Sequence, residues 1–103
     1  MAVELRITDS ADSNPRTVPI AVQRIFVERW LPLASALGLD WVTLIETGFD
    51  VTDANRPELV DQLERLSSRV TEEDTMIDND RLATLLTEIR ALRFELGAKA
   101  FLG

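Results

Sequence analysis

Residues 17–38 read TVPIAVQRIFVERWLPLASALG, and the way this stretch folds decides the architecture. Val18, Val22, Phe26, Trp30, Leu33 and Leu37 recur at steps of four and three. That is the spacing of one apolar helix face. Thr17 offers a capping oxygen, and Pro19 falls in the first turn, where its missing N–H costs little. The spacing therefore predicts a long helix starting near Thr17. Gly38 stands where a left-handed C-terminal residue is wanted, with Leu39 as its hydrophobic partner. Pro32 lies inside the pattern. It removes one ladder bond and crowds the carbonyl of Glu28, so a kink or a break is expected there.

On the N-terminal side, Val3, Leu5 and Ile7 alternate with Glu4, Arg6 and Thr8. This period of two is that of a half-buried strand. Residues 9–15 are polar and read as a loop. On the C-terminal side, Trp41 to Glu46 is β-branched and aromatic-rich, and apolar on both faces, which predicts an internal strand. Thr47-Gly48 is a turn signal, and Phe49-Asp50-Val51 reads as a short third strand in a hairpin.

The next helix is specified by Asn55 and Glu58, at capping-box spacing, with Pro57 in the first turn. Leu59, Leu63, Leu66 and Val70 form its buried face. Residues 71–80, TEEDTMIDND, are an acidic connection. The last helix starts at Asp78 or Asp80, with Leu82, Leu85, Ile89, Leu92 and Leu96 as a three-four seam. Gly97 ends it and leaves a short tail with Phe101 and Leu102. The expected fold is a single helix-dominated α+β domain over residues 1–103. A two- or three-stranded sheet packs against three helices in the order β-α-β(β)-α-α. If its two main strands pair side by side, the long helix makes a right-handed parallel crossover.

The chain contains no cysteine and no histidine. That removes disulfides, thiolate zinc sites and thiol catalysis. It also removes the commonest general base and metal ligand. The four glycines are scattered, so no phosphate-cradling loop is present, and no nucleophile elbow occurs. A calcium loop starting at Asp78 puts Leu82 at position 5 and Ile89 at position 12, and one starting at Asp74 puts Met76 at position 3. Neither supplies the oxygen ligands an EF-hand needs. The reading is therefore a non-enzyme, with no cofactor and no metal.

Net charge is −7. Phosphate neutralisation needs Lys and Arg, so this balance argues against nucleic acid and anionic membrane surfaces as partners. No signal-peptide run and no membrane-length apolar run occurs, so the cytoplasm is the expected location. The charge is uneven. Residues 40–80 hold twelve acids and three bases, a net of −9, whereas residues 1–39 balance four against four. The acidic segment fits a basic protein partner, because opposed potentials speed encounter and raise specificity. Plain solubility explains an average acidic protein slightly better, and the concentration of charge in one segment raises the partner reading.

Two surfaces are candidates for partner binding. The first is the acidic run Glu72, Glu73, Asp74, Asp78 and Asp80. The second is Leu86, Arg90 and Phe94, spaced four apart and off the main seam of the last helix. A helix buried on two sides is the plain alternative for the second. Trp30 and Trp41 are of the type enriched at binding hot spots, but their apolar patterning favours the core. The expected function is that of a small acidic binding protein that neutralises or sequesters a basic partner, as an immunity protein or inhibitor does. The alternative is a self-associating structural or adaptor subunit, a homodimer held by the Leu86–Phe94 face or by a strand edge.

Overall fold

The computed structural model describes residues 2–8, 16–72 and 79–103. The fold is α+β and helix-dominated. Strands β1 (Ala2–Thr8), β2 (Arg16–Val22), β3 (Phe49–Val51) and β4 (Lys99–Leu102) form one antiparallel sheet in the order β2-β1-β4-β3. Helix α1 covers residues 23–36, α2 is Asp40–Leu44, α3 is Arg56–Glu72 and α4 is Asn79–Arg90. One 3₁₀ turn follows at Phe94–Leu96. The sheet is larger than the two or three strands expected, and no pair of its strands is parallel. The order is β-β-α-α-β-α-α-β.

The first correction falls at residues 17–22, which form β2 rather than the first turns of a helix. Paired with β1, the backbone of this segment gains a ladder, and Val18, Ile20 and Ala21 become buried. The register jumps between Val3, opposite Ala21, and Glu4, opposite Pro19. Ile20 is the extra residue of a bulge. Two consecutive residues therefore face the core, which erases the alternation that marks a strand. Pro19 lies on the edge strand, where a missing N–H is tolerated.

Helix α1 begins only at Gln23 and runs through Pro32 without a break. The Leu31 N–H donates to the Phe26 carbonyl, five residues back, so one wide π-turn covers Phe26–Trp30 and ends two residues before the proline. This turn shifts the hydrogen-bond register at the position where a donor is missing. Gly38, at φ 69°, ends the segment as expected. Leu39 N–H bonds the Ala34 carbonyl at 2.9 Å, and Gly38 N–H bonds the Ser35 carbonyl at 3.2 Å. These are the two bonds of a Schellman cap.

The second correction is at residues 41–46. They contribute to helix α2 and the turn after it, not to an internal strand. Val42 and Ile45, three apart, face the core, while Leu44 is 46% exposed. A short apolar run does not distinguish a strand from a helix by periodicity. Packing against α3 decides it here, because the Trp41 N–H donates to Gln62 Oε1 at 2.7 Å.

Helix α3 buries Leu59, Leu63, Leu66 and Val70, as its sequence predicts. Its cap differs in detail. Thr52 N–H donates to Asn55 Oδ1 at 2.8 Å, and Asn55 N–H donates to Thr52 Oγ1 at 3.3 Å. The reciprocal pair thus lies one turn before the expected Asn55–Glu58 box. Helix α4 buries Leu82, Leu85, Leu86 and Ile89 and stops at Arg90. Arg56 Nη1 donates to the Leu92 carbonyl at 2.6 Å and helps to fix the chain reversal.

The third correction is β4, expected as a loose tail. Gly97, at φ 89°, turns the chain back, and β4 enters between β1 and β3. Ala100 and Leu102 join the core; Lys99 and Phe101 point outward. The helices pack on one face of the sheet, where Val3, Leu5, Ile7, Val18, Val51 and Leu102 meet them in one cluster.

Candidate functional site

The corner formed by α2, β3 and the start of α3 combines partly exposed aromatic surface with uncompensated charge. Trp41 is half-buried and packs its ring 5.2 Å from Phe49. Its indole Nε1 donates to Glu58 Oε2 at 2.8 Å. The ring is therefore held in place by one polar bond and one aromatic contact. Leu44, on the next turn, projects into solvent. Asp40 opens α2 and Glu46 follows it.

The electrostatic contrast with the rest of the molecule is sharp. Glu4, Glu28, Asp53, Asp61, Glu64, Glu88 and Glu95 each pair with an arginine. Among the described residues, Asp40, Glu46, Asp50 and Glu58 have no ion-pair partner. Three of them, Asp40, Glu46 and Glu58, belong to α2, the turn after it and the start of α3, whereas Asp50 lies on the outward side of β3. A cleft of about 330 Å³ adjoins the corner, between Gly38-Leu39 and Pro57, Glu58, Asp61 and Gln62. Asp61 in this cleft is neutralised by Arg65 at 3.2 Å.

Comparison with protein-family models, curated proteins and solved structures returns no match.

The residues singled out from the sequence are dispersed. Glu73, Asp74 and Asp78 lie outside the described residues. Glu72 is the last residue of α3. Asp80 is exposed in the first turn of α4, where a negative charge complements the helix dipole. Leu86 is 7% exposed and belongs to the core. Arg90 pairs with Glu64 and ties α4 to α3. Phe94 has left the helix and lies half-buried in the 3₁₀ turn. The structure therefore does not bring Leu86, Arg90 and Phe94 to one open face, because α4 ends before Phe94 and the chain returns as β4.

Phe94 has a defined place nonetheless. The Arg56 guanidinium stands 5.0 Å from its ring centroid, and Arg56 Nη2 also reaches Asp53 Oδ1 at 3.4 Å. Phe94, Asp50, Asp53 and Lys99 line a second cleft of about 370 Å³. In the exposed 3₁₀ turn, the Glu95 carboxylate is held below the usual range by its own backbone N–H and by Arg93 at 2.8 Å.

The sequence reading missed the corner as a unit. Part of its signal was present, since Asp40, Glu46 and Glu58 contribute to the −9 of residues 40–80, but the apolar patterning around Trp41 favoured the core, whereas its ring is only half-buried. Reading 41–46 as a strand separated the indole from the carboxylate that holds it.

No helix among the described residues is long and apolar enough to cross a membrane, and no three carboxylates among them are placed to hold a metal ion.

Proposed function

We propose that this chain is a binding protein that sequesters a basic protein partner through the α2–β3–α3 corner. The supporting observation is the coincidence of three carboxylates with no ion-pair partner among the described residues, Asp40, Glu46 and Glu58, with a fixed, partly exposed Trp41 and an exposed Leu44. A pre-positioned aromatic anchor loses little entropy on binding. Asp40 and Glu46, which no arginine neutralises, offer a cation a full charge, and Glu58 offers the charge left beside its bond to the Trp41 indole. Where a carboxylate is already paired, the incoming cation must displace an arginine first. Surface ion pairs within the protein contribute about 0–1 kcal/mol each. The partner is thus recognised by an arginine- or lysine-rich surface around an apolar contact.

The test is affinity purification of the chain, followed by titration of the captured protein against it in a salt series. Capture of a basic protein is expected, with binding that weakens as salt rises and falls at least about tenfold, or 1.4 kcal/mol, in Asp40→Arg and Glu46→Arg variants. Capture of only neutral or acidic proteins, or binding indifferent to salt and to both reversals, overturns the reading.

A further inference from the structure

The outward face of the sheet has no described element packed on it. Across one row, the register sets Arg6 on β1, Phe101 on β4 and Asp50 on β3 side by side. Neighbouring strands are about 4.8 Å apart. The Arg6 side chain is 63% exposed, Phe101 is 39% exposed, and Asp50 is exposed with no ion-pair partner among the described residues. The row therefore reads cation, ring, anion.

Such a row is complementary to itself. Turning a second copy over an axis that runs along β4 places its Asp50 against Arg6 and its Arg6 against Asp50. The two Phe101 rings then lie on either side of the axis, each against Gly48 and Gly103 of its own copy. We propose that this face joins two copies of the chain in an isologous sheet-on-sheet dimer centred on the Arg6–Phe101–Asp50 row.

Charge supports a second copy as the occupant. The chain carries −7, so two copies repel over most approaches. The outward face holds two acids, Glu4 and Asp50, and two bases, Arg6 and Lys99, for a local sum of zero. The Phe101 ring lies over Gly48 and Gly103, whose missing side chains let it lie close to the sheet. Lys99 lies on the same axis at the start of β4, and its flexible stem lets the ammonium turn to water. Arg6 already bonds Glu4 at 2.8 Å through Nε. Its remaining N–H donors are available to Asp50 of the second copy.

Among the described residues, the two sheet edges and the Leu86 face are poor routes to self-association. The β2 edge carries Pro19 and a bulge, both of which discourage strand addition. The β3 edge is three residues long, and its Asp50 carbonyl accepts from Asn55 Nδ2 at 2.9 Å. Leu86 is buried. The outward face offers fewer side chains than the roughly 20–30 residues per partner of a standard interface. The dimer is accordingly weak and concentration-dependent.

Sedimentation equilibrium of the full chain from micromolar to millimolar concentration tests this. The wild type passes from monomer to dimer. Arg6→Asp and Asp50→Arg each place like charges across the axis and weaken self-association at least about tenfold. Both side chains are exposed, so both variants keep the circular dichroism of the wild type. Mixing the two variants restores dimer. The introduced aspartate of one copy then faces the introduced arginine of the other, and the unchanged Asp50 faces the unchanged Arg6. A wild type that stays monomeric at millimolar concentration, single variants as dimeric as the wild type, or a mixture that stays monomeric overturns the proposal. This dimer and the basic-partner reading stand or fall separately, since neither Asp40 nor Glu46 takes part in it.

Discussion

The two tryptophans occupy opposite environments. Trp30 is fully buried in the π-turn of α1, its ring 5.6 Å from Phe26, and its indole N–H has no acceptor among the described residues. Trp41 is half-exposed, and its indole N–H is bonded to a carboxylate that has no ion-pair partner among the described residues. The buried donor costs stability and gains only volume. The surface donor fixes the orientation of a ring that solvent can reach. The same residue type thus serves packing in one region and presentation in the other, and the hydrogen bond of each indole tells them apart.

The largest effect comes from breaking the buried side of this contrast. Trp30→Ala should cost about 3–5 kcal/mol in urea unfolding, because it empties the centre of the core. Trp41→Ala should cost about 1–2 kcal/mol, since it loses the Phe49 contact over a half-buried area. The same change should weaken partner binding, seen by titration calorimetry, by more than its stability cost explains. Trp30→Phe should fall within about 1 kcal/mol of the wild type. It loses ring volume but also removes an orphan donor whose burial costs about 1–3 kcal/mol. A loss as large as that of Trp30→Ala would show that the lost ring volume outweighs relief of the orphan donor.

Glu95 gives the smallest effect and involves neither indole. Its carboxyl is depressed in the folded state by its own backbone N–H and by Arg93. A depressed acid stabilises the fold above its unfolded value and loses that contribution as pH falls through the folded one. A slight decline of stability confined to the acidic side of the usual carboxylate range is expected. Urea unfolding of the Glu95→Gln variant, compared with the wild type across that range, checks it. The effect is small because the group is exposed and its ion pair is screened by solvent.

Helix α3 was legible because its apolar steps are long and regular. Strand β1 was legible because it alternates cleanly, and the Gly38 cap because only one conformation suits that glycine. Strand β2 was hidden by its bulge, which turns Ile20 and Ala21 inward together and leaves Val18, Val22 and Phe26 at helical spacing by coincidence. Helix α2 was hidden because five apolar-rich residues carry no decisive period. Strand β4 was hidden because four residues between two partners draw their stability from neighbours remote in sequence. Of the candidate site, the charge excess was readable; its gathering around Trp41 depended on α2 meeting α3, which no local pattern encodes.

The strand that closes the middle of the sheet follows every other described element in chain order. Leu102 pairs with Leu5 and with Phe49, so all the intervening helices must be synthesised and looped before those contacts form. Pairing of such high contact order slows folding. Until then β1 stands with one open edge and β3 with no partner in the sheet, and this interval is when the nascent chain is most exposed to aggregation.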